Sequence, residues 1–224
     1  MAEAKLPDGR KLVYVDGFKI RNFIDEDFGI IHGHSQNIYE FVPKFYIPQN
    51  EVWYDRRYAD EFKFLYKGMV FELSVPVGSS DERRAAIKKE LCLPEPVPEV
   101  TMEKKKDGDL TVVMVDGKNI RAYIDPEFIL GGHEFIYDYV PASEVWIDVK
   151  IDPAEIPYIL LHEKVERELM AKGKNYDVAH EYATIADKEE RRAKAGACYP
   201  GDADYPWYGK ENSEIISNVI TDKK

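Results

Sequence analysis

The stretch VDGFKIRNFIDEDF at residues 15–28 returns as VDGKNIRAYIDPEF at residues 115–128, and everything else in the chain is arranged around that recurrence. Val15-Asp16-Gly17 matches Val115-Asp116-Gly117, Ile20-Arg21 matches Ile120-Arg121, and Ile24-Asp25 with Phe28 matches Ile124-Asp125 with Phe128. Matches in a held register mark a repeated structural unit. Further on, Gly33-His34 aligns with Gly132-His133, Ile38-Tyr39 with Ile136-Tyr137, and Val42-Pro43 with Val140-Pro141. Glu51-Val52-Trp53 and Asp55 then align with Glu144-Val145-Trp146 and Asp148. The expected organisation is module one at 1–92, a Pro-rich linker at 93–100, module two at 101–195, and a tail at 196–224 rich in aromatic residues, Gly and Pro. The segment LCLPEPVPEV at 91–100 carries three prolines in alternation, which suits an extended connector rather than a helix or strand.

Within each module the β-branched runs at 11–15 and 110–115 read as strands, each closed by Asp-Gly, a hairpin signal. The returning strands would lie at 20–24 and 120–124, with a third, Trp-bearing strand at 51–54 and 144–149. The expectation is an α+β fold with a small antiparallel sheet per module. Module two then turns helical: Asp152-Pro153 is a helix-start pair, with Asp152 as N-cap, and IPYILLHEKVERELMAKG from residue 156 bears an apolar stripe ending at Gly173. A second helix from about residue 176 to 194 follows a very short loop, so the two should pack as an antiparallel hairpin.

Composition narrows the function classes. The 31 Lys and Arg stand against 42 Asp and Glu, a net charge of −11, which repels phosphate backbones and anionic membrane surfaces. Nucleic acid and membrane are therefore not expected partners. Hydrophobic residues make up 44% and aromatic residues 12%, enough to bury cores that offset chain entropy. The two cysteines, Cys92 and Cys198, are too far apart in sequence for a zinc knuckle and too few for a disulfide framework, so a reducing, cytoplasmic setting is expected. The beginning of the chain lacks a basic region followed by an apolar core, and no apolar run is long enough to span a bilayer.

One constellation looks like chemistry. In His162-Glu163-Lys164-Val165-Glu166, residues four apart share a helix face, so His162 and Glu166 can hold one metal ion while Glu163 stands beside them as a general base. If the loop between the helices centres near Lys174, Glu166 lies eight residues before it and His180 six after it. At a rise of 1.5 Å per residue the two are level to about 3 Å, which nominates His180 as third ligand. Glu181 is the alternative, because one position of rotation exchanges the two. Against this stands the plain reading in which Glu163 and Glu166 form solvated pairs with Lys164 or Arg167.

With these residues in hand, the segment 158–192 resembles the zincin-like metallopeptidases, whose paired helices present His-Glu-x-x-His and a downstream ligand. The resemblance implies His162 as first ligand, Glu163 as catalytic base, His180 as downstream ligand, and zinc or another divalent metal as cofactor. Glu166 stands where that family has its second His. A carboxylate there adds negative charge at the ion and blunts its power to acidify bound water. The fragment HEKVERELMAKGKNYDVAHEYA also resembles modules of uncharacterised bacterial and bacteriophage proteins.

His162 falls opposite Met69 when the Trp register is extended, and module one has no His-Glu-x-x-Glu. The ligand set is thus not demanded by the repeat itself. His34 and His133 read first as shared turn or core histidines, with a second role open for His133 as an oxyanion donor or metal ligand; His32 is given none. Asp55 and Asp148 read as residues that brace a turn after the Trp strands. The resulting expectation is a zinc-dependent hydrolase acting on a peptide or protein substrate. The alternative is a non-catalytic binding or structural component of a larger assembly, drawing on the aromatic tail.

Overall fold

Asp16 and Asp116 do not turn the chain into hairpins; each caps a helix. In the computed structural model, which describes residues 5–7, 9–33, 46–63, 65, 89 and 96–196, strand β1 (Lys11–Val15) runs into helix α1 (Gly17–Phe23). The Asp16 carboxylate accepts the Lys19 amide at 3.4 Å, satisfying one of the amides that a helix start leaves without a partner. The expected returning strand at 20–24 is therefore helical. Ile20 on the helix and Ile24 at its C-cap, four apart, are buried together with Phe28 and Trp53.

The described part of the chain forms two compact units, one up to Phe62 and one from Lys63 to Gly196. In unit one, β2 (Ile31–Gly33) and β3 (Glu51–Asp55) complete a sheet of order β1-β3-β2, with β3 parallel to β1 and antiparallel to β2. The sheet is mixed rather than antiparallel because the two strands that run the same way, β1 and β3, are not consecutive: α1 and β2 lie between them in the chain. A 3-10 turn at Arg56–Glu61 follows β3.

Unit two uses the same pairings. Strand β5 (Leu110–Val115) leads into α2 (Gly117–Tyr123), with Asp116 accepting the Asn119 amide at 3.1 Å. Strands β6 (Gly131–His133) and β7 (Glu144–Asp148) follow, β7 parallel to β5 and antiparallel to β6. The segment at 120–124 is again helix and turn, not strand. An extra strand, β4 (Thr101–Asp107), pairs with β5 through a true hairpin turn at Asp107-Gly108-Asp109, Gly108 taking φ 61°, and gives the order β4-β5-β7-β6.

One buried device recurs and explains the glycine after each cap. Arg121, itself fully buried, bonds the carbonyls of Phe128 and Ile129, both at 3.1 Å, and pairs with the buried Asp148 at 2.9 Å. Arg21 does the same with Phe28, Gly29 and Asp55 at 2.8, 3.1 and 3.4 Å. A Cβ at Gly17 or Gly117 would collide with the carboxylate of Asp55 or Asp148. Asp55 and Asp148 thus brace the helix against the end of the central strand. Trp53 and Trp146 lie in the two cores, each indole N–H donating to its own strand's Glu51 or Glu144 at 2.8 Å.

After β7 the chain forms α3 (Ile156–Ala171) and α4 (Tyr176–Ala195). Asp152 closes the turn before α3, accepting the Ala154 amide at 3.0 Å, while the N-cap position falls to Glu155, which makes no side-chain cap bond. Gly173 ends α3 in a left-handed conformation at φ 85°, and the Asn175 side chain caps α4 at the Val178 amide. The helices are antiparallel: Glu155 at the start of α3 meets Arg191 near the end of α4 at 3.3 Å, whereas Glu166 meets His180. Ile159 packs with Val112, Val145, Ile147 and Ile151, which lays α3 across β7 and β6. Gly131 permits the approach, since a Cβ there would come within 3.0 Å of Glu163 Oε1 and 3.1 Å of Ile159.

Of the linker, only Pro96–Val100 is described; it forms no regular element, and Val100 joins the core of unit two. The aromatic tail, His34, Met69, Cys92 and Cys198 lie outside the described residues. Among the described residues no helix is long and apolar enough to cross a membrane.

Candidate metal centre

The α3–α4 pair delivers His162, Glu166 and His180 to one point. His180 Nδ1 lies 2.8 Å from Glu166 Oε2, His162 Nε2 lies 3.2 Å from His180 Nδ1, and His162 Nε2 lies 3.7 Å from Glu166 Oε2. The i, i+4 spacing supplies the first pair, and the short loop sets the height of the second helix. Glu181 is exposed and belongs to neither group of closely spaced ligand atoms, so the alternative rotation is not adopted.

The strand β6 adds a residue that the sequence reading left at the margin. His133 is fully buried, and its Nε2 lies 3.2 Å from Glu166 Oε1. Its other ring nitrogen accepts the Phe135 amide at 3.3 Å. In a neutral ring this leaves the proton on Nε2, directed at the carboxylate. The alignment with His34 also shifts. His133 pairs with Val145 as Gly33 pairs with Val52, so Gly33 is its counterpart, and His32, opposite Trp53, corresponds to Gly132, opposite Trp146. His32 accepts the Gly29 amide at 2.8 Å and packs on Phe28; in unit two Tyr137 covers Gly132 and packs on Phe128 instead.

Burial grades across the cluster. His133 and Glu166 are shut away, Glu163 is 8% exposed, and the His162 and His180 side chains keep 15% and 30% exposure, so water reaches the site from the α4 side. Tyr176, one turn before His180, stacks on its ring at 5.1 Å and restricts it. Lys164 and Arg167 do not pair with Glu163 or Glu166. Lys164 reaches Asp107 at 2.6 Å, and Arg167 grips Glu134 with two nitrogens. The Arg167–Glu134 clamp lies beside the Glu166–His133 contact and ties α3 to the end of β6 a second time.

Burial works to raise the pKa of Glu166, but hydrogen bonds from His133, His162 and His180 outweigh it and hold the carboxyl well below the usual range. Glu163 goes the other way. Burial first, and then the charge of Glu166, push its pKa well above the ordinary value, with His180 pulling weakly against them. Two carboxyl groups one helical turn apart are thus driven in opposite directions, a separation that suits one to bind a cation and the other to exchange a proton.

The structure therefore holds buried His and Glu side chains positioned to bind a metal ion, in two groups that share Glu166: His162, Glu166 and His180, and His133, Glu163 and Glu166. Compared with known proteins, the chain matches no family model, no curated protein and no solved structure.

Proposed function

We propose that unit two is a metal-dependent hydrolase centre acting on peptide or amide bonds, with His162, Glu166 and His180 holding one divalent ion, zinc in the first instance. The supporting observation is the triangle of ligand atoms with sides 2.8, 3.2 and 3.7 Å. Its circumradius is roughly 1.9 Å, so the three atoms would suit a divalent ion at the usual ligand distance of about 2.1 Å. A bound divalent ion would supply the positive charge that acidifies a water and polarises a carbonyl. Glu163, with its raised pKa, is the group placed to take the proton. The likeness to zincins rests on this geometry and on the His-Glu-x-x-Glu spacing. The same reading extends to the repeat: the two units are copies of one module, and only the second carries the site.

Elemental analysis of protein purified without chelators tests the proposal. The expected result is bound metal in the wild type and loss of the His162–His180 ion in His162→Ala, with added zinc raising Tm; ligand at a hundred times Kd stabilises by about 2.7 kcal/mol. On a panel of amide substrates, Glu163→Gln should lower kcat roughly 10²- to 10⁴-fold while retaining that ion. Equal, negligible metal in wild type and His162→Ala would end this reading. A second reading, a non-catalytic component of a larger assembly, draws on Tyr182 and Ile185, which stand 57% and 47% exposed on α4. It wins if metal and Glu163 are dispensable while Tyr182→Ser abolishes association with the rest of that assembly.

A further inference from the structure

Glu166 has two oxygens, and they face different neighbours. Oε2 meets His162 and His180, while Oε1 meets His133 at 3.2 Å. His133 also belongs to a second set of candidate ligand atoms, from His133, Glu163 and Glu166, all within 4.8 Å of one another and all three residues buried. Glu163 is more than nine-tenths buried, and among the described residues its carboxylate has no hydrogen-bond partner. The nearby basic side chains are engaged elsewhere, Lys164 with Asp107 and Arg167 with Glu134. A buried carboxyl without a partner is costly and calls for a compensating cation or proton.

We propose that His133, Glu163 and the Oε1 atom of Glu166 form a second, inner divalent-cation site, and that Glu166 bridges it to the outer ion held by His162 and His180. The inference rests on the outer site of the proposed function and gives Glu163 a second duty, as ligand, once the inner site fills. A carboxylate bridge sets two ions a few ångströms apart, the arrangement in which one ion can hold the attacking oxygen while the other steadies the developing charge. The substrate class this favours is one whose reacting group places two oxygens near the metals, such as an amide attacked by water or a phosphoryl ester.

The hydrogen bonds of His133 indicate what an inner ion would displace. With the Phe135 amide on Nδ1, the His133 proton sits on Nε2 against Glu166 Oε1. Inner-site binding takes that proton's place: the ring ligates through Nε2, carries its proton on Nδ1, and gives up the 3.3 Å contact with Phe135. The outer ion displaces in the same way the protons that His162 and His180 direct at Glu166, but those two rings reach water whereas His133 does not, so the outer site fills first. Gly33, at the equivalent strand position of unit one, offers no ligand.

The test is titration of the metal-free full-length protein with zinc and, separately, with cobalt(II), followed by calorimetry, elemental analysis and the ring-nitrogen NMR shifts of His133. The expected result is two equivalents in sequence, with the His133 tautomer changing only on the second. His133→Ala and Glu163→Gln should each bind one equivalent, and Glu166→Ala none tightly. Glu163→Gln preserves volume and decides the matter if His133→Ala does not fold. One equivalent in the wild type, still one in Glu163→Gln, overturns the inner site and leaves the outer one standing, with His133 serving as a donor that orients Glu166. No metal in the wild type overturns both.

Discussion

At the last position of the short strand unit one has Gly33 and unit two has His133, and each faces a valine, Val52 or Val145. Around that position almost everything else is matched: the aspartate cap, the glycine after it, the buried Arg–Asp brace, and the Trp–Glu bond on the central strand. The comparison separates two kinds of residue. Among the described residues, those present in both units hold the frame together, and His133 with the candidate ligands of α3 and α4, which have no match in unit one, gather at one cluster. Among the described residues, β3 leads into a 3-10 turn where β7 leads on to the helical pair.

The largest effect tests whether the frame is the same in both places. Arg121→Met leaves Asp148 buried without its guanidinium and should cost about 3–5 kcal/mol in urea denaturation. Arg21→Met should cost less, because Arg57 stays 3.6 Å from Asp55. Equal losses would show that Arg57 contributes nothing there. Next in size, Gly132→Ala drives a methyl into the Tyr137 ring and should cost about 1–3 kcal/mol, whereas Gly33→Ala meets only the tip of the Arg10 guanidinium, at 2.7 Å, and should be nearly neutral. A large loss at Gly33 would break the idea that the two short strands are packed differently.

Smaller again are the caps. Asp116→Ala should cost about 1 kcal/mol, and Asp16→Ala slightly more, since Asp16 also pairs with Arg56 and Arg57 at 2.7 and 3.5 Å in partly solvated positions. The smallest effect concerns Glu144. Burial works to raise its pKa, but Lys104 of β4 and the Trp146 indole hold it below the ordinary 4.5. A depressed folded pKa contributes stability above the unfolded value and loses it as pH falls through the folded one. Glu144→Gln should therefore flatten the acid side of the stability profile below about pH 4.5, by well under 1 kcal/mol for so solvated a pair.

The α3–α4 pair and the convergence of His162, Glu166 and His180 were legible in the sequence because helical spacing, a short loop and a left-handed glycine are local signals. The strand pairing was not. Asp-Gly at 16–17 and 116–117 reads as a hairpin, yet whether an aspartate turns a chain or caps a helix depends on what lies behind the glycine, here Asp55 and Asp148, far along the sequence. The true hairpin Asp-Gly, at 107–108, follows a run of charge that carries no strand period. The role of His133 stayed open between a core histidine and a ligand for a related reason: its partner is 33 residues away, and only the register of β6 against β7 turns its ring toward Glu166.

Strand β4 has a consequence for how the protein behaves in a crowded solution. Six of its seven residues are exposed, and Glu103, Lys104, Lys105, Lys106 and Asp107 run along an outermost edge of the sheet. An open edge offers free backbone amides and carbonyls to any strand that drifts against it, the first step of aggregation. Here such a newcomer would have to strip water from a row of charged side chains before a single ladder bond could form, so the unit wears its own deterrent to fibre growth along that edge.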